Sequence, residues 1–173
     1  VFRSGDEGAT WNPASTGLTG AEYEALAISP NYASDHTLWT GGSDGHVFKT
    51  TNRGDSWTDS SSGLPLKQVI SLAVSPAYAS DRTLFAGVYE VGVFRSTNGG
   101  SSWVHVTTAI SLTEASALVI SPAFASDRTV YAGKRSGVPF KSTDGGTTWS
   151  PLGAYPGPGT NTLVLASDYV SSG

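Results

Sequence analysis

Four tryptophans stand 46 residues apart, Trp11, Trp57, Trp103 and Trp149, and each closes a version of one eight-residue phrase: "SGDEGATW", "TTNRGDSW", "STNGGSSW" and "STDGGTTW". A second phrase keeps the same step, with Pro30, Pro76 and Pro122 inside "ISPNYASDHTLWTGG", "VSPAYASDRTLFAGV" and "ISPAFASDRTVYAGK". Two anchors in phase, with no insertion between copies, define one structural unit repeated in tandem. A chain built this way buries its apolar faces between like neighbours, not inside one irregular core.

Each unit reads as four short strands. In the third copy "SLAVS" (71–75) places Leu72 and Val74 on one face, and "TLFAG" (83–87) is β-branched, aromatic and apolar before a glycine. "GVFRS" (92–96) and "SWVHV" (102–106) supply two more strands, and no stretch has helical periodicity of useful length. Four antiparallel strands per 46 residues is the period of a propeller blade, whereas solenoid repeats of similar length are helical. The expected fold is therefore all-β, a β-propeller of four-stranded antiparallel blades. The 173 residues hold about 3.75 such units. The units divide as 1–16 (the third and fourth strands of a blade), 17–62, 63–108, 109–154, and 155–173, where "NTLVLAS" (161–167) reads as the first strand of a further blade. Larger rings are usual for such repeats, so an arc of a longer propeller is expected, whose end faces need flanking blades or subunits. "LASDY" slips the register of "VISPAF" by about one residue and lacks its proline, as terminal repeats often do.

Composition narrows the function classes. Net charge is −4, without the basic stripe that displaces counterions from nucleic acid. No apolar run approaches the roughly 20 residues that span a bilayer, and no signal-peptide pattern opens the chain, which starts at Val1 as a mature or excised piece would. With no cysteine, disulfides, thiolate zinc sites and cysteine nucleophiles are all excluded, and no Asn-X-Ser/Thr acceptor occurs. The lack of Cys and Met is compatible with an oxidising exterior. His36, His46 and His105 fall in different repeat columns without metal-ligand spacing, so no metal and no cofactor are expected.

The repeated loop needs no chemistry to explain it. A short Asp or Asn accepts backbone N–H bonds from its own turn, glycine takes positive φ, and the Trp starts the next strand and buries a large ring between sheets. Asn52 and Asn98 stand where Asp6 and Asp144 do, and Thr50 stands for Ser. That swap keeps an acceptor oxygen and drops a charge, which a catalytic or metal-binding carboxylate would not tolerate. The pattern Ser-X-Asp-X-Gly-X-X-Trp resembles the Asp-box, or bacterial neuraminidase repeat, of β-propellers. It stands here as Ser4, Asp6, Gly8, Trp11; Thr50, Asn52, Gly54, Trp57; Ser96, Asn98, Gly100, Trp103; and Ser142, Asp144, Gly146, Trp149. The resemblance implies a scaffold role for these residues and covers nearly the whole chain. Such propellers occur in sialidases, xyloglucan-cleaving glycoside hydrolases, sortilin receptors, a photosystem assembly factor and many bacterial surface proteins. "SPxYASDRTLFAG" is most similar to bacterial surface and secreted repeat proteins. No set of non-repeated arginines suited to clamping a carboxylate, as in sialidases, is found.

Other charged positions are also repeat columns: Arg3, Lys49, Arg95 and Lys141 form one, and His36, Arg82 and Arg128 another, solvated or capping a neighbouring strand. Asp35, Asp81 and Asp127 read as Asx-turn formers. What varies is more informative. In an antiparallel blade the first and third connections share one face of the disc, and both are nearly uniform here. The second connection ("GSDGH", "VYEVG", "KRSG") and the inter-blade link ("GLTGAEYE", "GLPLKQVI", "AISLTEAS") share the other, and both differ between copies. The candidate binding residues on that face are Glu22, Tyr23, Glu24, Asp44, His46, Lys67, Tyr89, Glu90, Glu114, Lys134 and Arg135. Glu22 and Glu24, about 6 to 7 Å apart on an extended segment, have a separation that a glycosidase pair could use, but nothing beside them looks like a supporting shell, and no catalytic residue is assigned. Two classes of function remain. One is a non-catalytic extracellular module meeting a protein or polysaccharide. The other is part of a glycoside hydrolase, with an assembly-factor-like propeller as a third possibility.

Overall fold

The computed structural model describes residues 1–20, 22–107, 112–153, 157–166 and 169. Its strands form one two-stranded and three four-stranded antiparallel sheets, each in simple up-and-down order. The first holds β1 (Phe2–Arg3) and β2 (Asn12–Pro13). The second runs β3 (Tyr23–Ile28), α1 (Tyr32–Asp35), β4 (Leu38–Gly42), β5 (Val47–Thr50) and β6 (Thr58–Asp59). The third runs β7 (Val69–Val74), α2 (Tyr78–Asp81), β8 (Leu84–Val88), β9 (Gly92–Ser96) and β10 (Val104–His105), and the fourth β11 (Ala115–Ile120), α3 (Phe124–Asp127), β12 (Val130–Lys134), β13 (Phe140–Ser142) and β14 (Ser150–Pro151). These are the four-stranded blades that the repeat predicts. The fourth strand is shorter than "SWVHV" implied, because the Trp103 N–H bonds to Ser62 O in the preceding link instead of joining the ladder.

The phrase "SPxYASDxT" contains a feature that the sequence did not suggest, a single helical turn. Ser29, Ser75 and Ser121 donate their hydroxyls to Asp35, Asp81 and Asp127 at 2.5–2.6 Å, and the other oxygen of each carboxylate accepts the N–H of Thr37, Thr83 or Thr129 at 2.9 Å. The aspartates thus form the expected Asx turns. The turn ends in a left-handed residue, His36, Arg82 or Arg128, with φ of 52–53°.

Packing is between sheets. Trp39 of β4 lies edge-on to Tyr78 of the next sheet at 4.9 Å between ring centroids, and Phe85 of β8 meets Phe124 at 6.2 Å. Two residues beyond each aromatic stands a glycine that the close approach requires. A Cβ on Gly41 would lie 2.5 Å from Val69 Cγ1, and one on Gly87 would lie 2.1 Å from Ala115 O. Residues 157–166 form no strand, yet Thr160 donates its N–H to Lys134 O at 2.7 Å, and Ser116 Oγ donates to Thr160 O as Ser71 Oγ does to Ala115 O. Tyr169 meets Tyr131 at 6.2 Å, repeating the Phe85–Phe124 contact despite its slipped register.

The loop tryptophans bury as expected in three copies, and Trp57 and Trp103 are 4% exposed. Trp11 departs from this at 63% exposed, since no described residue covers that face of the first sheet. Replacing a buried Trp by Ala costs about 3–5 kcal/mol. We expect Trp103→Ala to lower the unfolding free energy measured by urea titration by that amount, and Trp11→Ala to change it by less than about 0.5 kcal/mol, as at ordinary surface sites. Equal losses would contradict the packing described.

Candidate functional site

The structure has two unlike faces, and the tryptophan-loop face is built from one repeated set of bonds. In every copy the first hydroxyl, Ser4, Thr50, Ser96 or Ser142, accepts the N–H of Gly8, Gly54, Gly100 or Gly146 at 2.7–3.1 Å. It also donates to the Asp or Asn oxygen two residues on, at 2.7–2.9 Å. That oxygen accepts the N–H of Thr10, Ser56, Ser102 or Thr148 at 2.9–3.0 Å. The choice of Asp or Asn follows its partner. Asp6 and Asp144 accept the hydroxyls of Thr10 and Thr148 at 2.6 Å, while Asn52 and Asn98 donate their amides to Ser56 and Ser102. Every glycine of the set has φ of 87–91°.

The basic column does more than face solvent. Arg3, Lys49 and Arg95 each reach into the next loop, donating to the carbonyls of Arg53, Gly99 and Gly145 at 2.8, 3.1 and 2.7 Å. In the other direction the indoles of Trp57 and Trp103 donate back to Ala14 O and Ser60 O at 2.9 and 2.7 Å. Half-buried Lys49 is pushed down in pKa by burial and by the nearby Arg82.

On the opposite face candidate residues meet both across blades and within one. Gln68 donates to Glu24 at 2.6 Å, Lys67 pairs with Glu90 at 3.1 Å, and the Arg135 guanidinium lies 5.7 Å from the Tyr89 ring. Asp44 accepts the His46 N–H, and His46 Nδ1 bonds Asp59 at 2.6 Å, with Ser61 donating to the same carboxylate oxygen. Burial pushes the Asp59 carboxyl up, but the bonds from His46 and Ser61 outweigh this and hold it low. Tyr23 accepts the Gly20 N–H, anchoring the link. The side chains of Glu22, Glu114 and Lys134 join none of these pairs. Gln68 and Asp59 escaped sequence reasoning because only contact across strands and blades gives them a role.

A cavity of about 460 Å³ lies elsewhere, on the tryptophan-loop face between the first two sheets, lined among others by Arg3, Tyr32, Ala33, His36, Arg53 and Asp55. Arg3 bonds Asp55 at 2.8 Å, and Arg53 bonds His36. The sequence does hold a signal for this place: His36, Arg53 and Asp55 stand where the two following copies have Arg, Gly and Ser or Thr. Among the described residues no cluster of His, Asp or Glu could hold a metal, and no helix is long and apolar enough to cross a membrane.

No protein-family profile matches the chain, and no curated protein matches it in sequence. Solved structures do. The computationally designed Ika4 protein aligns at TM-score 0.63 and 16% identity over 87% of this chain and 82% of its own. The GH74 xyloglucanase of Xanthomonas campestris aligns at 0.64 and 20% identity over 90% of this chain, and an ancestral GH74 enzyme at 0.62 and 23% over 82%. The chain spans only 27% and 19% of those two enzymes. The extracellular domain of a sensor protein, BT4673 of B. thetaiotaomicron, aligns at 0.60 and 16% identity over 84% of this chain and 18% of its own. At such identities the likeness shows the fold, and the fold is a β-propeller.

Burial pushes the Asp144 carboxyl up, but bonds from the Thr148 hydroxyl and N–H, Ser142 and the Thr147 N–H hold it down to about 2, against 3.8 ordinarily. A depressed carboxyl stabilises the fold above its unfolded pKa, and that contribution is lost as pH falls through the folded value. Urea midpoints measured from pH 5 to pH 2 are therefore expected to fall more steeply for the parent than for Asp144→Asn, with the two converging near pH 2. Parallel curves would remove the loop carboxylate from acid sensitivity.

Proposed function

We propose that the chain is a non-catalytic recognition module of an extracellular or cell-surface protein, its loops being Asp-boxes that hold a rigid disc. Its ligand, a protein or a polysaccharide, meets the face made by the second connections and inter-blade links. One observation carries this reading. The tryptophan-loop face repeats the same bonds blade after blade, while the other face differs in every blade and joins Glu24 to Gln68 and Tyr89 to Arg135 across blade boundaries. Rigid scaffolds with individualised loops are where recognition resides. The pairs Glu24–Gln68, Lys67–Glu90 and Tyr89–Arg135 form a polar and aromatic surface suited to sugar hydroxyls or an extended peptide.

A second reading, part of a glycoside hydrolase, is supported by the likeness to the xyloglucanase propeller and by Glu22 and Glu24 on the same face. An assembly-factor-like role is supported more weakly by the likeness to YCF48, solved bound to D1 peptide, at TM-score 0.60 and 14% identity over 79% of this chain. Screening the chain on glycan and peptide arrays, followed by calorimetry on the best hit, separates these. For a recognition face, Tyr89→Ala and Arg135→Ala each weaken binding about tenfold or more with unchanged urea midpoints. Hydrolysis of xyloglucan oligosaccharides that Glu24→Gln abolishes would replace this reading with the second.

A further inference from the structure

The interface between blades is completed twice, and each time a second strand fills it. Trp39 and Phe85 enter beside Tyr78 and Phe124, and Gly41 and Gly87 admit the next first strand. The receiving side also offers Leu72 and Val74 in one case, and Leu118 and Ile120 in the other. The same receiving half is uncovered on β3 and α1. Leu26 and Ile28 are 62% and 55% exposed, and Tyr32 lines the 460 Å³ cavity. Beside it, β1 pairs only with β2 among the described residues, so its second edge is open.

We propose that this surface is a seat for one extended strand with the pattern of the chain's own second strands, an aromatic with glycine two positions on, offered by a blade of the same repeat. The register follows from the finished interfaces. Trp39 and Phe85 lie opposite Lys49 and Arg95, and Gly41 and Gly87 opposite Val47 and Val93. Val1-Phe2-Arg3-Ser4 repeats Val93-Phe94-Arg95-Ser96 residue for residue. The incoming aromatic therefore pairs with Arg3 and the glycine with Val1, and the ring lands between Tyr32, Leu26 and Ile28. Arg3 supplies a cation as well, as Lys49 and Lys141 do at 5.5 and 5.7 Å from the Trp39 and Tyr131 rings. The open edge of β1 calls for backbone donors and acceptors, which a strand carries in register. Edge pairing contributes affinity, and the aromatic seat contributes specificity.

The test titrates a synthetic peptide of residues 80–90, SDRTLFAGVYE, into the chain by calorimetry, with amide shifts followed by NMR. Saturable one-to-one binding that shifts Arg3, Leu26 and Tyr32 is expected. Changing the peptide's Phe85→Ala or Gly87→Val, neither of which touches the fold of the receiving chain, weakens it about tenfold or more. Tyr32→Ala in the chain does the same, whereas Trp11→Ala leaves binding unchanged, because loop tryptophans face the preceding blade, as Trp57 faces Ala14. Placing residues 78–92 directly before Val1 in one chain is expected to raise the melting temperature and abolish peptide binding. No binding at about 1 mM peptide, or equal affinity for a scrambled peptide, overturns the proposal.

Discussion

Everything in this molecule rests on the contact between one blade and the next. A sheet with two-residue fourth strands, such as β6 or β10, has too little ladder to stand alone. Its apolar faces are satisfied only when Trp39 reaches Tyr78 or Phe85 reaches Phe124. Each junction adds a cation that donates forward to a loop carbonyl, and an indole that donates backward fastens the first two junctions, Trp57 to Ala14 O and Trp103 to Ser60 O. A net hydrogen bond is worth about 0.5–1.5 kcal/mol and a buried Trp several. Ring burial therefore sets the strength of the junction, and the directed bonds set its register.

The faces differ because of what each connection must do. The first connection and the tryptophan loop lie on the junction itself: Gly99 and Gly145 donate to Arg82 and Arg128 carbonyls, and their own carbonyls receive Lys49 and Arg95. A change there costs two bonds in two places, so the loops are copied nearly unchanged. The second connections and links carry fewer such duties, with long side chains pairing at the exposed surface, as Lys67 does with Glu90. Exposed pairs contribute little to stability, about 0–1 kcal/mol, which leaves that face free to differ between blades.

Much of the fold was legible from the repeat alone. The 46-residue step gave the blades, and Leu72 with Val74 gave the partly buried face by which a first strand packs on the blade before it. The Asp-to-Asn exchange in the loops marked an acceptor, and the structure adds why each was chosen, Asp beside a Thr hydroxyl that donates and Asn beside a Ser hydroxyl that accepts. The helical turns at Tyr32–Asp35 and its repeats were not legible, because four residues carry no periodicity. For the candidate site the sequence offered a face but not the pairings on it, and it passed over Gln68, Asp59 and the cavity beside Tyr32.

The sequence by itself determined the unit, its four strands and the turn chemistry, since these depend on local spacing, glycine conformations and side chains bonding their own backbone. Only the tertiary structure decided which residues meet across blades: that Arg3, Lys49 and Arg95 reach carbonyls 50 residues on, and that Trp11 is exposed where Trp57 is buried. The physical reason is that a repeated residue has the same local surroundings in every copy. Its burial and its partner come from the neighbouring blade, which the local sequence does not encode.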